Sequence, residues 1–283
     1  MYIYKCILIF VFLHSDGKPT DYAGERVADH IVSYMKKQSL PALSIVVKEN
    51  FEKFTKENDV VVVAFAKKDS DIESFRGLAE EHRNDFVFGY ISDEETAKKE
   101  GVKIPGIALY KQFDDGKAIY AGEFGKKVAI EKFLRDESVP LFDQIGGHNY
   151  QKYMDMKLPL AFTFFSSEEE LEKLAKDIKP LAKENKGKVN FVSIDFTKFG
   201  GYAKSLNLKG EKAPMFAIHD VAKDVKFPLD GEFKLDAVKK LVKGVVDGSA
   251  KPVLKSEPIP EKNDGDVTIV VGDNYKEASK IWI

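Results

Sequence analysis

The chain has 283 residues, of which 43% are hydrophobic and 32% are charged, and its formal net charge at pH 7 is −2. A chain of this length usually forms about two domains, and because lysine is interspersed with Asp and Glu throughout, no basic face for nucleic acid is expected. The one cysteine, Cys6, excludes both an internal disulfide and a CxxC redox pair.

The N-terminal segment, MYIYKCILIFVFLHSDG, has one lysine and then an apolar run over residues 6–13. This pattern is typical of a short signal peptide over residues 1–16. It also fits a buried β-strand that leads into a turn at residues 15–17. The apolar run is too short to span a membrane, and the other two interpretations stay open.

Two sequence patterns each occur three times along the chain. The first is a Gly-Glu pair followed by an amphipathic run, at Gly24, Gly122 and Gly231. The second is a short apolar run, a polar turn with an Asn-aromatic pair and a helix start, beginning at Ser44, Leu141 and Val267. Copies of the first lie about 100 residues apart, which is the size of a small domain rather than of a solenoid repeat. The first pattern therefore closes a module and the second opens one.

These patterns predict the domain organisation. The stretch DGSAKPVLKSEPIPEKNDGD between two of the copies is rich in Pro, Gly and charge, as linkers are. The predicted parts are the tail of one module (residues 1–38), two complete modules (40–137 and 138–247), a linker (248–265) and the start of a further module (266–283).

In the first complete module, strand and helix patterns alternate. VVVVAFA is a continuous β-branched run, as expected of a strand covered on both faces. DEETAKKEG has acidic residues in its first turn and Gly101 in position to end a helix. The predicted elements are, in order, a strand at 60–66, a helix at 70–82, a strand at 85–92, a helix at 93–101, strands at 104–110 and 117–122, and a helix at 125–134.

The second complete module repeats this order. Strands separated by helices predict a central sheet covered by helices, and the short turn between the last two strands makes that pair antiparallel. The sequence therefore predicts an α/β fold with tandem domains, each a mixed sheet flanked by helices. Its elements are predicted at 158–165 (strand), 167–187 (helix), 188–196 (strand), 200–210 (helix), 213–220 and 223–229 (strands), and 234–246 (helix).

Pro105 and Pro214 occupy equivalent positions, each at the start of the third long strand of its module. Proline cannot donate to a sheet ladder, so it belongs at the beginning or the edge of a strand. A cis peptide bond before each proline is the sharper hypothesis, because a cis bond is typical of a tight approach between loops.

This order of elements, with proline at that point, resembles the thioredoxin fold. The tandem arrangement, with DYAGERVADHIVSYMKKQ, GVKIPGIALYKQFDDGK and the linker sequence SEPIPE, resembles the protein disulfide isomerase family, whose domains run a, b, b′ and a′ with a linker x before the last. The resemblance implies residence in the lumen of the endoplasmic reticulum. It also implies that the predicted parts, in chain order, are the end of domain a, domain b, domain b′, linker x and the opening of domain a′.

Catalytic members of this family carry CxxC between the strand that corresponds to VVVVAF and the following helix, whose N-terminus lowers the pKa of the first thiol. Here the two places read AKKDSDIES and FSSEEELEK, without cysteine. Cys6 lacks a resolving partner and cannot turn over alone as an isomerase. We therefore expect no thiol–disulfide exchange by this chain. The alternative is that it is a fragmentary record of a full isomerase whose parent catalyses that reaction.

The resemblance then implies a substrate-binding region that acts as a chaperone or scaffold in oxidative protein folding. In this family, domain b′ presents an apolar pocket to unfolded or misfolded polypeptides, and other folding factors are further candidate partners. The competing interpretation is a purely structural interaction protein in which these side chains are closed core. The residues that match the pocket positions are Ile145, Tyr150, Met154, Tyr202, Leu206, Val221 and Val225.

No metal or cofactor is expected. The five histidines are scattered and do not show metal-ligand spacing. A GxGxxG fingerprint and a P-loop are both missing from the sequence.

Overall fold

The structure, a computed structural model, describes residues 12–15, 18–21, 27–39, 41–253, 260, 268–272 and 274–275. Cys6, the signal-like start up to residue 11, most of the predicted linker and most of residues 266–283 lie outside this part of the chain. At the N-terminal end, β1 (Phe12–Ser15) pairs antiparallel with β2 (Lys18–Asp21), and α1 (Ala28–Ser39) follows. Residues 12–15 of the segment with two interpretations are therefore in a strand.

The chain divides into two compact units, and their sheets are mixed, as the element order predicts. The first unit is Met1–Gln112 with Ile119–Lys127, and the second is Phe113–Ala118 with Val128–Ile283. The predicted module boundary between residues 137 and 138 stays a prediction.

The first five-stranded sheet has the order β3-β5-β4-β6-β7. Strands β3, β5 and β4 are parallel, and β6 runs antiparallel to β4. The elements are β3 (Ser44–Ile45), α2 (Phe51–Lys56), β4 (Val60–Phe65), α3 (Asp69–Glu81), β5 (Val87–Ile91), α4 (Glu94–Glu100), β6 (Gly106–Lys111), β7 (Lys117–Ile119) and α5 (Lys127–Glu137).

The second five-stranded sheet repeats this topology in the order β12-β11-β9-β10-β8. Strand β9 is parallel to β10 and antiparallel to β11, which forms an antiparallel hairpin with β12. The elements are β8 (Asp143–Gln144), α6 (Tyr150–Asp155), β9 (Leu160–Phe165), α7 (Glu168–Glu184), β10 (Asn190–Asp195), α8 (Phe196–Ser205), β11 (Met215–Asp220), β12 (Val225–Pro228) and α9 (Leu235–Asp247).

The central strands β4 and β9 are buried on both faces, as their continuous apolar sequences predict. Because side chains alternate along a strand, each face of the second sheet has its own core. Leu160, Phe162 and Phe164 belong to the core on one face, and Ala161 belongs to the core on the other. The first of these two faces, called the α6–α8 face below, carries most of the predicted binding residues.

Helix ends follow the capping chemistry of the sequence. The Asp93 carboxylate accepts a hydrogen bond from Thr96 N at 2.7 Å at the start of α4, and Gly101 ends that helix with a φ of 71°. The predicted end at Gly101 is thus confirmed. The predicted start of α8 at residue 200 is wrong, because Asp195 caps the helix earlier by accepting from Thr197 N at 2.9 Å. None of the helices in the described ranges combines the length and apolar content of a membrane span.

Candidate functional site

The recurring Asn-aromatic pair has one structural role in all three copies. In each copy the asparagine Oδ1 accepts a hydrogen bond from the backbone N–H three residues earlier, which closes the turn before the helix. The bonds join Asn50 to Val47 (2.9 Å), Asn149 to Gly146 (2.8 Å) and Asn274 to Val271 (2.7 Å). In the two five-stranded units the aromatic residue that follows the asparagine is the first residue of the helix, α2 or α6.

In the second unit this turn is also tied to the sheet. Asn149 Nδ2 and the Tyr153 hydroxyl both donate to Asp143 Oδ2, each at 2.9 Å. Tyr153 is 1% exposed, and burial, together with the Asp143 carboxylate, raises the pKa of its phenol far above the ordinary range. The phenol therefore stays protonated and acts as a donor, which fixes α6 on the edge of the sheet.

Five of the seven predicted binding residues share the core on the α6–α8 face. Ile145 and Leu206 are buried in it. The other three are half-buried and pack against it, so that part of each side chain reaches the surface: Met154, Tyr202 and Val221.

Tyr150 is 44% exposed and lies close enough to Tyr202 to affect its ionisation. Burial, with a smaller contribution from Tyr150, raises the pKa of Tyr202 to about 12. The Tyr202 ring packs on Phe162, with 5.3 Å between ring centroids and an angle of 65°. The first residue of α6 thus lies near Tyr202 of α8 on this face.

Val225 lies elsewhere, because it packs against the core on the opposite face of the sheet. In the β11–β12 hairpin it pairs with Asp220 rather than with Val221. The structure therefore brings six of the seven predicted residues to one face and leaves Val225 apart from them.

The two sheets can be compared position by position, because their registers are the same. Ala64 pairs with Tyr90 and Ile107 in the first sheet, as Thr163 pairs with Ser193 and Phe216 in the second. The peptide bonds before Pro105 and Pro214 are both cis. By this correspondence Phe51 and Tyr150 are equivalent residues.

These two aromatic residues differ in what they contact. Phe51 is 5% exposed, with its ring centroid 6.0 Å from that of Phe65 and 5.6 Å from that of Tyr110. In the second unit the equivalents of Phe65 and Tyr110 have other partners. Phe164 packs on Phe196, and His219 Nε2 lies 2.9 Å from Asp224 Oδ1. The first unit covers this part of its core with its own ring, whereas Tyr150 is turned toward solvent.

Four further positions change from polar to apolar between the units. In the first unit the polar groups are used internally: Thr55 donates to Phe51 O (3.0 Å), Thr96 to Asp93 Oδ2 (2.6 Å) and Gln112 to Thr55 O (3.3 Å), and Glu100 accepts from the Tyr110 hydroxyl (3.1 Å). The equivalents in the second unit are Met154, Tyr202, Val221 and Leu206. Leu206 is buried, but Met154, Tyr202 and Val221 are half-buried, so the second unit has partly exposed, largely apolar side chains where the first has internal hydrogen bonds.

The places where redox relatives carry CxxC hold charged and hydroxyl side chains. After β4, Lys67 forms an ion pair with Glu94 at the start of α4. After β9, Ser167 Oγ accepts from Glu170 N at 3.3 Å, and Ser166 N donates to Glu170 Oε2 at 2.7 Å. The N-terminus of α7, which would lower a thiol pKa, is therefore capped by its own side chains.

Comparison with known proteins agrees with this architecture. The thioredoxin-like domain family matches residues 67–244. The chain is 46% identical over 260 residues to a protein disulfide-isomerase of Humicola insolens, covering 90% of this chain and 51% of that protein. It is 44% identical over 278 residues to one of Arthroderma benhamiae, covering 97% and 52%. The chain thus spans about half the length of the curated relatives it matches.

Solved structures show the same fold at lower sequence identity. The bb fragment of ERp72 has a TM-score of 0.56 at 20% identity, covering 75% of this chain and 100% of that fragment. The zinc-bound form of human ERp44 has a TM-score of 0.51 at 18% identity, covering 84% and 71%. With its two mixed sheets and the family match over residues 67–244, the chain belongs to the thioredoxin-like domain family and is similar in sequence to protein disulfide-isomerases.

Proposed function

We propose that this chain is a non-catalytic substrate-binding region that binds unfolded or misfolded polypeptides on the α6–α8 face of its second unit. The observation that carries the proposal is the contrast between the units. Phe51 closes the first unit, while its equivalent Tyr150 is exposed beside Met154 and Tyr202. The relatives are protein disulfide-isomerases, which supports a role in oxidative folding in the lumen of the endoplasmic reticulum.

The chemistry of this face suits weak and unselective binding. Methionine is flexible and polarisable, and tyrosine supplies a large amphipathic surface at low entropic cost. Burial of about 300 Å² of apolar client surface would contribute roughly 7 kcal/mol before entropic losses, so we expect affinities that are micromolar or weaker. A weak, general site is what a chaperone or scaffold needs.

Methyl NMR of the full chain tests the proposal directly, since Ile145, Met154, Leu206 and Val221 all carry methyl groups. Addition of a peptide rich in leucine and phenylalanine should shift these resonances together, in proportion to occupancy. If the shifts are absent, or spread over unrelated faces of both units, the face is closed core and the chain is a structural interaction protein.

A set of substitutions gives the second unit the side chains of the first. Met154→Thr, Tyr202→Thr and Val221→Gln, made together, should weaken peptide binding at least tenfold, because an apolar contact is replaced by hydrated polar groups. The matched control is Ile45→Thr, which removes an apolar side chain that is 69% exposed in the first unit. Equal affinity of the triple variant and the control would contradict the proposal.

We also infer that the chain does not itself catalyse thiol–disulfide exchange. Neither place after β4 or β9 carries sulfur, and one cysteine cannot complete the exchange cycle. In an insulin-reduction assay the chain should give the background rate of the reductant alone. Turnover above that background would refute the inference and favour an active isomerase.

A further inference from the structure

The second unit has an additional turn with two phenylalanines beside the proposed binding face. Ile91 and Ile194 are equivalent in the two sheets, as are Ala97 and Ala203, whose carbonyls accept from the residues that follow α4 and α8. Between these points the first unit has residues 92–96 and the second has residues 195–202, which is three residues more. The added length is the first turn of α8.

The added turn presents one phenylalanine to the core and one to solvent. The Phe196 ring packs edge-on against Phe164, with 6.3 Å between centroids. A Cβ at Gly200 would lie 3.2 Å from that ring, so glycine leaves room for it. Phe199 is 51% exposed and has non-helical backbone angles, φ −122° and ψ 25°. Phe196 thus anchors the turn and Phe199 is left at the surface.

The polar side chains of the turn bind groups within it rather than groups elsewhere in the described chain. Asp195 accepts from Thr197 N at 2.9 Å, and its other oxygen lies 3.2 Å from Lys198 Nζ. Phe199 lies at a kink inside α8 and precedes the half-buried Tyr202 by three residues. The exposed ring is therefore close to Tyr202 along the chain.

We propose that Phe199 is a second anchor for the bound polypeptide and determines which segments bind best. This inference rests on the proposed peptide-binding function of the same face. Phe199 and Tyr202 are separated by only two residues of the chain, so both rings are available to one bound segment. In an extended peptide, side chains at i and i+2 point the same way and lie about 7 Å apart. The preferred client is therefore an extended segment with large apolar side chains at i and i+2.

Three fluorescein-labelled peptides of equal length and charge test this, in a serine-glycine background. The first carries two phenylalanines at i and i+2, the second carries them at i and i+1, and the third carries one. The full chain should bind the first about tenfold more tightly than the third, and more tightly than the second, because only the first presents both rings on one side.

Phe199→Ala should remove most of this tenfold advantage and leave the affinity for the one-phenylalanine peptide unchanged. Phe199→Leu should restore a large part of it, and Val246→Ala, at a residue 38% exposed on α9, is the matched control and should change neither affinity. Thermal melts check that the variants are folded.

The outcomes separate this inference from the function on which it rests. If the one-phenylalanine peptide binds but Phe199→Ala and Val246→Ala behave alike, Phe199 is not an anchor and the binding face stands. The same conclusion follows if Phe199→Ala weakens all three peptides equally. If no peptide binds the unaltered chain, both the binding face and the anchor are rejected.

Discussion

The hydrogen bond between Tyr153 and Asp143 lies beneath the proposed binding face, and its contribution to stability can be measured with one substitution. Tyr153→Phe deletes the hydroxyl that donates to Asp143 Oδ2 at 2.9 Å and leaves the buried ring in place. A hydrogen bond to a charged group contributes about 1.5–3 kcal/mol. Asp143 keeps the bond from Asn149 Nδ2, so we expect a loss near the lower limit, about 1.5 kcal/mol.

Native-state hydrogen exchange of the full chain measures this loss where it occurs. Amides of α6 should exchange about tenfold faster in Tyr153→Phe, since 1.4 kcal/mol corresponds to a factor of ten in an opening equilibrium. Peptide affinity of the folded protein should change little, because Asn149 still closes the turn that carries Tyr150.

Tyr202→Phe is the matched control, since it deletes the same hydroxyl from a tyrosine of the same unit. Within the described part of the chain the Tyr202 hydroxyl has no hydrogen bond, so this substitution should change exchange rates by less than about twofold. If the two variants have the same effect, the Tyr153–Asp143 bond does not stabilise α6 and the account of the turn is wrong.

Two further predictions concern helices of the first unit. Hydrogen bonds from Thr96 hold the pKa of Asp93 below its usual range, so the carboxylate stabilises the fold above its unfolded-state pKa, and this effect is lost as pH falls through the folded-state pKa. Asp93→Ala should therefore lower the melting temperature at pH 7, and the difference from the unaltered chain should shrink toward pH 2. A difference that stays constant with pH would contradict this. Gly101→Ala should destabilise the protein by about 1 kcal/mol because φ is positive there. Gly77→Ala, in the interior of α3 with open space where an added Cβ would lie, should stabilise it by up to about 1 kcal/mol. Urea denaturation measures both free energies of unfolding, and changes of the same sign would refute the argument.

Much of the fold could be predicted from the sequence because its signals are local. Continuous apolar runs locate β4 and β9, and glycine locates the end of α4. The recurring asparagine locates a turn each time, since the same side-chain bond forms in all three copies. These elements depend on a few neighbouring residues, so a sequence pattern is sufficient to find them.

The proposed binding face could be predicted only in part, because it depends on the pairing register of β11 and β12 and on the residue at which α8 begins. The predicted site groups Val225 with Val221, but the hairpin pairs Val225 with Asp220, and a shift of one residue moves a side chain to the other face of the sheet. Phe199 falls between the predicted strand at 188–196 and the predicted helix at 200–210, which begins at Gly200 and Gly201, so the predicted site does not include it. The Asp195-x-Thr197 cap was the available signal for an earlier start.

The equivalent helices α2 and α6 are held on their sheets by different interactions, which agrees with a binding role proposed for the second unit alone. Burial of Phe51 contributes on the order of 1.5–3 kcal/mol to the first unit. The second unit loses part of such a term by exposing Tyr150, but it has Asp143 and Tyr153 where the first has Ser44 and Phe54. Ser44 Oγ is buried without a hydrogen-bond partner in the described chain, whereas Asp143 accepts two bonds.

A charge-assisted bond of about 1.5–3 kcal/mol is similar in size to the burial term that it accompanies. Asp143 and Tyr153 can therefore hold α6 on the sheet, while the described part of the chain leaves Met154, Tyr202 and Val221 partly exposed. A purely structural unit would gain stability by closing that surface, as the first unit does with Phe51, Thr55 and Gln112. A partly exposed apolar face on a helix that Asp143 holds by two hydrogen bonds is the arrangement expected of a surface that binds other chains.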